Sequence, residues 1–479
     1  MESALNVKIG IKPVFSAAVH SDAWEGPCRT GNMEDLTFEA EKAGAKKEFK
    51  EFQEELRRNI PSEAKFLEPV YMEYGEDFVV SEKYFKKLEP DLQDTDLFLL
   101  TDRTPGPGIA RYRKPIAYVD RGDSNVDLSA YLRSIGLEGY APINYDELNE
   151  LIFLMKVRKA IQKTRILEMT GGQKITWGAF SSILNLDDLK AKFGTDCQKI
   201  SIERFFDEMD KVDQKEITEL SEKLIKGAQK LNIKKNYVAN DVRFYFAIKN
   251  LMERYDCNAY TVPCFELCRT RLPEKFKVVP CLPLTLLKDE GYPSSCEGDI
   301  GVLLAMMVLM YISKKSSFMG NLFMKVENEE FPHIRRPIPE KMGTLYMKEK
   351  NIVQLWHSVP GIKMNGFEKP NLPYELWHFT ASGWGTKVQI DMAKNEEKEV
   401  TLARFNPLAT KILVVKGKVV GCYFREVFCS PAVDIQVSDA KEIMHKRADF
   451  GQHTAMVYGD YTSQIEKLST LMGFEVVKV

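Results

Sequence analysis

The sequence has little histidine and almost no net charge. There are six histidines in 479 residues, and 67 basic residues face 69 acidic ones, which gives a formal net charge of -2. This balance argues against a general surface for nucleic acid or for an acidic membrane. The apolar run at residues 300–312 is shorter than the roughly 18 residues that a membrane-spanning helix needs. We therefore expect it to form a buried core helix.

Signals for export are also missing from the start of the chain. The first six residues (MESALN) lack the basic start and apolar core of a signal peptide. Nine cysteines, an odd number, fit free thiols in a reducing compartment. We therefore expect a cytoplasmic protein that binds neither nucleic acid nor a membrane.

Hydrophobic patterning predicts an α/β fold followed by a β-rich region. Apolar runs of strand length, among them residues 97–100 and the run that starts at residue 165, alternate with helical patterns such as residues 34–58 up to about residue 315. This alternation is typical of parallel sheets flanked by helices. After residue 316, the pattern predicts short strands separated by glycine, proline and charged turns, at residues 387–391, 399–404, 411–415, 418–424 and 433–437. Such strands are typical of a barrel or a sandwich. We expect three domains: an α/β domain at residues 1–160, a second at 161–315, and a β domain at 316–479.

Two histidines and two carboxylates lie in segments whose pattern indicates a binding site. His357 ends an apolar strand pattern, His453 precedes another, and Glu297 and Asp299 come directly before the apolar run at 300–312. Imidazoles and carboxylates together can form a divalent-metal site with mixed nitrogen and oxygen ligands. The alternatives are that the acids favour a helix N-terminus and that His357 is a hydrogen-bonded core residue.

Four segments resemble the L-fucose isomerase and L-arabinose isomerase superfamily. They are IGIKPV at residues 9–14, SSCEGD at 294–299, SFMGN at 317–321 and GQHTAMVYGD at 451–460. The resemblance implies two Rossmann-like α/β domains followed by a C-terminal β-barrel, a divalent cation, usually Mn2+, and aldose-ketose interconversion. It also implies a homo-oligomer, a hexamer or trimer, in which the N-terminal domain of a neighbour helps to close the pocket.

The resemblance also assigns site residues. Glu297 stands at the family's first carboxylate, which is both metal ligand and proton carrier, and His453 stands at its C-terminal ligand histidine. His357 matches a further ligand of the arabinose-type members. Asn321 aligns with the second carboxylate, and this is a departure, because an amide can coordinate a cation but cannot carry a proton near neutral pH. The second catalytic role then falls to Asp299, to another acid such as Glu266, or to a metal-bound water.

Moving a hydrogen between C1 and C2 of a sugar through an enediol requires a proton carrier and a cation that stabilises the negative oxygen. We therefore predict a metal-dependent sugar isomerase with a small-molecule sugar substrate. Asn321 leaves open another metal-enolate reaction, namely epimerisation or carbon-carbon cleavage, and a catalytically silent sugar-binding protein.

The N-terminal region holds a further candidate site. His20 follows the first predicted strand, where α/β proteins often bind ligands, and Trp24 and Arg29 are nearby. These three residues are candidates for contacting the sugar that is bound in the pocket of a neighbouring subunit. A role limited to the loop itself is the alternative.

Overall fold

The structure is a computed structural model that describes residues 3–27, 29–326 and 349–479. The chain divides into two compact units. The N-terminal unit is Val7–Lys156, and the main unit holds Val157–Val479 together with the described residues before Val7. Within the described ranges, no helix is both long and apolar enough to cross a bilayer. The division into three domains stays a prediction.

The N-terminal unit is a parallel sheet with helices. Its strands are β1 (Ile9–Ala18), β2 (Ala64–Phe66), β3 (Val70–Tyr74), β4 (Leu97–Leu100), β5 (Ile116–Tyr118) and β6 (Gly139–Tyr140). Its helices are α1 (Phe38–Asn59), α2 (Glu82–Phe85), α3 (Gly106–Ile109), α4 (Ser124–Ser134) and α5 (Tyr145–Gln162), the last of which crosses into the main unit. β1 pairs with β2 and β3 on one side and with β4 on the other, and β5 and β6 follow.

Both faces of this sheet are buried, as a parallel sheet requires. Successive residues of β4 point to opposite faces. Leu97 and Leu99 pack into a core cluster with residues of α1 and α5, whereas Phe98 and Leu100 pack into a second cluster with residues of α2 and α4. The predicted helix at residues 34–58 begins later, at Phe38, because the Thr37 side chain accepts the Ala40 N–H and caps it.

The first part of the main unit is also α/β. Its parallel sheet has the strand order β11-β10-β7-β8. The strands are β7 (Arg165–Thr170), β8 (Asp196–Ser201), β10 (Ala259–Val262) and β11 (Ser294–Cys296). The helices are α6 (Leu186–Phe193), α7 (Ile202–Met209), α8 (Gln214–Gly227), α9 (Lys235–Arg254), α10 (Cys264–Arg269), α11 (Leu272–Phe276), α12 (Cys281–Asp289) and α13 (Ile300–Ser313). The chain reverses its direction of strand addition next to β7, and such reversals create ligand crevices at the carboxyl ends of strands.

The second part of the main unit is a closed antiparallel barrel of six strands. They are β12 (Phe318–Val326), β13 (Glu349–Trp356), β16 (Glu399–Phe405), β17 (Lys411–Tyr423), β18 (Ala432–Gln436) and β19 (His453–Tyr458). Their order is β16-β19-β12-β13-β18-β17, and β17 pairs with β16 to close the barrel. The strand β20 (Glu475–Lys478) adds to β17 in parallel, and the helices α14 (Ala440–Lys446) and α15 (Thr462–Met472) belong to the same region.

The structure confirms the α/β class and the barrel, while the Rossmann-like assignment of both α/β parts stays a prediction. The helix α13 is buried from Ile300 to Ile312, as expected, and packs against β16 and β19. Two details differ. The strands expected at 411–415 and 418–424 form one strand with a bulge near Gly421. The strand expected at 387–391 is β15 (Thr386–Gln389), which lies outside the barrel in a small sheet with β9 (Lys230–Asn232) and β14 (Glu375–His378).

Candidate metal centre

Three buried side chains from distant parts of the main unit converge. Glu297, His357 and His453 each offer one ligand atom, and these atoms all lie within 4.8 Å of one another. His357 Nε2 is 3.3 Å from Glu297 Oε1, and His453 Nε2 is 3.3 Å from Glu297 Oε2. The two imidazole rings are 5.8 Å apart between centroids. We refer to these three residues as the Glu-His-His cluster.

Glu297 belongs neither to a strand nor to a helix. β11 ends at Cys296, and both Glu297 (φ 63°) and Gly298 (φ 69°) adopt left-handed backbone conformations. For a residue other than glycine this conformation is strained, and such strain is concentrated at functional sites. The Gly298 N–H donates to Val262 O at 3.0 Å, which fixes the turn against β10.

Asp299 lies behind His453. Asp299 Oδ2 is 2.8 Å from His453 Nδ1, and Oδ1 accepts hydrogen bonds from Arg404 Nη1 at 2.6 Å and from the Val302 N–H at 3.2 Å. Asp299, Arg404 and His453 are all fully buried. Since a carboxylate accepts only, His453 carries a proton on Nδ1, and its Nε2 faces the cluster, where it can bind a metal ion once its own proton is lost. The Arg404 contact was not predicted from the sequence.

His357 is held by main-chain contacts on both sides. The backbone N–H of His357 donates to Pro431 O at 3.3 Å, and the hydroxyl of the next residue, Ser358, accepts the backbone N–H of Ser430 at 3.1 Å. The buried Lys288 ammonium donates to Val359 O. The cis peptide bond between Ser430 and Pro431 lies in the loop before β18 that makes these contacts. The histidine is therefore positioned by α12 and by the loop before β18.

Asn321 lies directly opposite His453 in the β12–β19 pair and opposite Trp356 in the β12–β13 pair. Residues that face each other across a strand pair project from the same side of a sheet. The register therefore puts the Asn321 side chain on the same face of the barrel wall as His453, beside the Glu-His-His cluster.

The electrostatics of the cluster favour a cation. Burial raises the pKa of Glu297, but this effect is exceeded by attraction to His453 and the contact with His357, so its pKa lies below the usual value. Burial lowers the pKa of His453, and the carboxylates of Glu297 and Asp299 outweigh burial and raise it. Burial lowers the pKa of His357.

The donor set also fits a metal ion. His453 Nε2 lies 3.3 Å from Glu297 Oε2 without the geometry of a hydrogen bond, and the buried His357 Nδ1 has no hydrogen-bond partner within the described residues. Buried polar atoms without partners are costly and call for an explanation. Two imidazoles and one carboxylate, with an amide nearby, suit a divalent transition metal.

The segment that follows β7, which includes Trp177, Gly178 and Ser182, packs against Glu297 and Gly298. A Cβ atom added at Gly178 would lie 2.5 Å from Glu297 Oε2, and Gln452 Nε2 donates to Gly178 O. The Ser182 hydroxyl donates to Gly298 O at 3.0 Å. Glu266, a further acid considered for proton transfer, accepts the Trp177 N–H at 2.7 Å, so the backbone of residues 177–178 contacts both carboxylates.

The three N-terminal candidates form their own cluster around Glu41, which the sequence did not indicate. His20 Nδ1 is 3.0 Å from Glu41 Oε2, and Arg29 Nη2 donates to Glu41 Oε1 at 2.7 Å. Trp24 contacts both His20, with ring centroids 5.8 Å apart, and the Arg29 guanidinium, 5.2 Å from its ring. Arg29 also donates to three main-chain oxygens. These contacts stabilise the loop, and the role in sugar binding stays a prediction.

Comparison with known proteins gives two informative relatives. No family model matches the chain. The chain is similar to the sulfoquinovose isomerase of Priestia aryabhattai and to that of Priestia megaterium (strain ATCC 12872 / QMB1551). Each is 24% identical over 344 residues, which cover 69% of this chain and 68% of the relative. Both relatives are named as isomerases, which confirms the prediction of an enzyme.

Proposed function

We propose that this protein is a divalent-metal-dependent aldose-ketose isomerase of the L-fucose and L-arabinose isomerase superfamily. The convergence of Glu297, His357 and His453 in a buried cluster carries the proposal. The similarity to two sulfoquinovose isomerases supports the same reaction class. We propose Mn2+ or a similar divalent cation as the cofactor, with Asn321 as a further ligand.

Such a cation, when bound, stabilises the negative charge that develops on the sugar oxygens. The histidine contacts lower the pKa of Glu297, which keeps its carboxylate in the ionised form that a proton acceptor needs, although the same shift weakens its basicity. Glu297 takes the proton from C2 and returns it to C1, while the hydroxyl proton moves from O2 to O1, so the formula of the sugar is unchanged. A single carboxylate can perform both transfers, because it holds the proton between the two steps.

We propose a positioning role for Asp299 in place of the catalytic role expected first. Its oxygens accept hydrogen bonds from Arg404, His453 and the Val302 N–H, and it is fully buried. Buried carboxylates that accept a proton from a ligand histidine fix the tautomer and orientation of that ligand. Asp299 therefore acts through His453.

We propose a sulfonated hexose as the substrate class. Sulfoquinovose, which the relatives are named for, is a hexose that carries a sulfonate on C6. We further propose a cytoplasmic homo-oligomer, a hexamer or trimer, in which His20, Trp24 and Arg29 of one subunit contribute to the pocket of another. The exposed aromatic side chains of Trp177 and Phe180, near Glu297, support a covered surface in the assembly.

The amide of Asn321, at the position of the family's second carboxylate, favours a second candidate function for the same fold. With one proton carrier fewer than the family pattern, the chain could serve an epimerase or a carbon-carbon lyase that passes through a metal-stabilised enolate. A silent sugar-binding homologue is the remaining alternative.

The test is turnover of C2-deuterated sulfoquinovose with Mn2+. We expect a ketose product, with the deuterium at C1 or in solvent, and we expect excess chelator to abolish turnover and Mn2+ to restore it. An epimeric aldose or two shorter fragments would identify the alternative reactions. Retention of all deuterium at C2 by a metal-loaded protein that binds the sugar would identify the silent homologue.

Full turnover in chelator, with negligible metal content, would exclude the metal-dependent mechanism. His453→Ala is the matched variant, because it removes one proposed ligand; since it also removes the contacts of His453 with Glu297 and Asp299, its folding is checked by urea unfolding. It should lose metal affinity together with activity.

A further inference from the structure

A cavity of about 600 Å³ lies beside the small sheet of β9, β14 and β15. Its volume is within the range of about 300–1,000 Å³ that is typical of small-molecule sites. It lies in the main unit, and Glu375 of β14 and Gln389 of β15 are among its lining residues. Its lining includes no member of the Glu-His-His cluster. We refer to this separate site as the small-sheet cavity.

The buried side chain of Gln389 gives the small-sheet cavity a hydrogen-bond acceptor that lacks a donor. Glu375 and Gln389 face each other in the β14–β15 pair, so their side chains project from the same face of the small sheet. Gln389 Nε2 donates to the Ser430 hydroxyl, whereas Gln389 Oε1 has no hydrogen-bond partner within the described residues. Gln389 is fully buried, and a buried acceptor without a partner is costly. A hydroxyl group of a bound ligand would supply the missing donor.

Further amide side chains favour a ligand with many hydroxyl groups. They are Gln229, Asn365, Asn371 and Asn395. Each amide has two N–H donors and an oxygen with two lone pairs, so it can bind a hydroxyl group either as donor or as acceptor. Asn395 Nδ2 donates to Asn365 Oδ1 at 2.9 Å, which holds two of these amides side by side.

The charges around the small-sheet cavity favour a neutral ligand. Its lining holds four carboxylates and two lysines, and this excess of negative charge disfavours an anion. Asp391 is 3.3 Å from Lys394, and Glu397 is 2.8 Å from Lys315, so two of the carboxylates are already paired. Among the described residues, the acidic groups of this cavity do not form a group of three that could hold a metal ion.

Apolar side chains complete the lining. The half-buried Phe424, directly after β17, contributes an aromatic ring, and Leu372 and Pro373 contribute aliphatic surface. Small-molecule sites combine such apolar surface with a few polar groups that fix the orientation of the ligand. A sugar ring has the matching chemistry, because its C–H groups pack on apolar surface while its hydroxyl groups bind amides and carboxylates.

We propose that the small-sheet cavity is a second binding site, which takes a neutral sugar. The unpartnered Gln389 oxygen, the amides around it and the excess of negative charge carry the proposal together. It goes beyond the proposed isomerase reaction and does not depend on it, since the site shares no residue with the Glu-His-His cluster.

Trp377 is a natural reporter for this site. Its Nε1 donates to Glu375 Oε2 at 2.7 Å, and its ring centroid is 6.2 Å from that of Phe424. Both partners line the cavity, so a bound sugar should change the surroundings of Trp377. Trp356, the residue before His357, reports on the candidate metal centre in the same way.

The test is fluorine NMR of the full chain labelled with fluorotryptophan, in the presence of chelator so that the proposed isomerisation does not proceed. Glucose, galactose, fucose and maltose are titrated separately, and the Trp377 signal is assigned by its loss in Trp377→Phe. We expect a saturable shift of the Trp377 signal with at least one of these sugars, with Kd in the millimolar range. Glucuronate, the anionic counterpart of glucose, should bind roughly 10-fold more weakly than glucose, because the carboxylates of the lining repel it.

Asn371→Phe should block the site. Asn371 is exposed at the edge of the cavity, and a phenylalanine there takes up ligand volume and should raise Kd roughly 10-fold or more. Asn236→Phe is the matched control, because Asn236 is an exposed asparagine of α9 that does not line the cavity. It should leave Kd unchanged. Unchanged signals of the other tryptophans verify that both variants fold.

The wild-type titration decides without the variants. The absence of a saturable Trp377 shift with all four neutral sugars would overturn the proposal. Equal Kd values in Asn371→Phe and the wild type would overturn it as well, because the sugar would then bind elsewhere. Tighter binding of glucuronate than of glucose would refute the neutral class. A shift of Trp356 without a shift of Trp377 would overturn the second site while leaving the proposed isomerase function intact.

Discussion

Replacement of Asp299 by asparagine tests how the Glu-His-His cluster is built. The Asp299 carboxylate accepts from Arg404 Nη1 at 2.6 Å, from the Val302 N–H at 3.2 Å and from His453 Nδ1 at 2.8 Å. An amide has only one oxygen, so its NH2 group must face either Arg404 or His453.

Each orientation of the amide damages a different part of the network. If the oxygen stays with Arg404, the NH2 group faces His453 Nδ1, which must then accept, and the proton moves to Nε2. That tautomer cannot offer Nε2 to a metal. If the amide turns over, its NH2 group faces the guanidinium, and two donors then oppose each other. In both orientations the fully buried Arg404 loses its counter-charge.

The magnitudes follow from the burial of the pair. Removing one partner of a buried ion pair costs about 3–5 kcal/mol of unfolding free energy. Loss of the carboxylate behind a metal-ligating histidine lowers metal affinity about 10-fold to 100-fold. Because the carboxylate that moves protons is proposed to be Glu297, kcat at saturating Mn2+ should fall much less than metal affinity.

Urea unfolding, Mn2+ affinity by competition with an indicator dye, and kcat at saturating Mn2+ measure the three effects separately. The matched control is Asp213→Asn. Asp213 caps α8 at an exposed position, and asparagine caps helices about as well, so we expect a change within about 0.5 kcal/mol. Unchanged metal affinity and stability in Asp299→Asn would refute the positioning role. A loss in kcat of roughly 100-fold to 10,000-fold at saturating metal would identify Asp299 as a proton carrier.

Three further substitutions test other parts of the site. Glu297→Gln should keep some metal binding through its amide oxygen yet lose roughly 100-fold to 10,000-fold in kcat; normal turnover of the metal-loaded variant would rule out the mechanism. Asn321→Asp should fold normally and raise aldose-ketose interconversion; loss of activity with intact metal affinity would favour the alternative reaction. Lys387 of β15 is buried, and burial lowers its pKa to about 8. Between about pH 8 and pH 10.5 it is therefore neutral in the folded state and protonated in the unfolded state, so the unfolding free energy of the wild type relative to Lys387→Met should rise by about 1–3 kcal/mol between pH 7 and pH 10.5. A difference in unfolding free energy between the wild type and Lys387→Met that does not vary with pH would contradict the lowered pKa of Lys387.

Much of the fold was predictable because it depends on local patterns. β4 (Leu97–Leu100) and β7 (Arg165–Thr170) were expected at these positions, since buried parallel strands are short apolar runs. Strand partners were less predictable. Residues 386–389 have a barrel-like pattern, yet they pair with β14, because pairing is decided by distant segments and not by the strand itself.

Local sequence by itself determined the residue types that the site uses. Scarce histidines, two nearby carboxylates and an amide in place of an acid are visible without coordinates. The histidines and carboxylates predicted Glu297, Asp299, His357 and His453 as a metal site, and the family resemblance added Asn321. The structure brings Glu297, His357 and His453 together. Family resemblance supplied the chemistry that this group is proposed to perform.

Only the tertiary structure decided how each residue serves the site. Glu297 and Asp299 are two positions apart, yet the left-handed turn at Glu297 and Gly298 separates them, so that one faces the cluster and the other faces Arg404. The partners Arg404 and Lys288 lie far along the chain from the residues that they contact. Their contacts exist only after the barrel closes, because side-chain geometry across strands depends on register, which no local sequence pattern encodes.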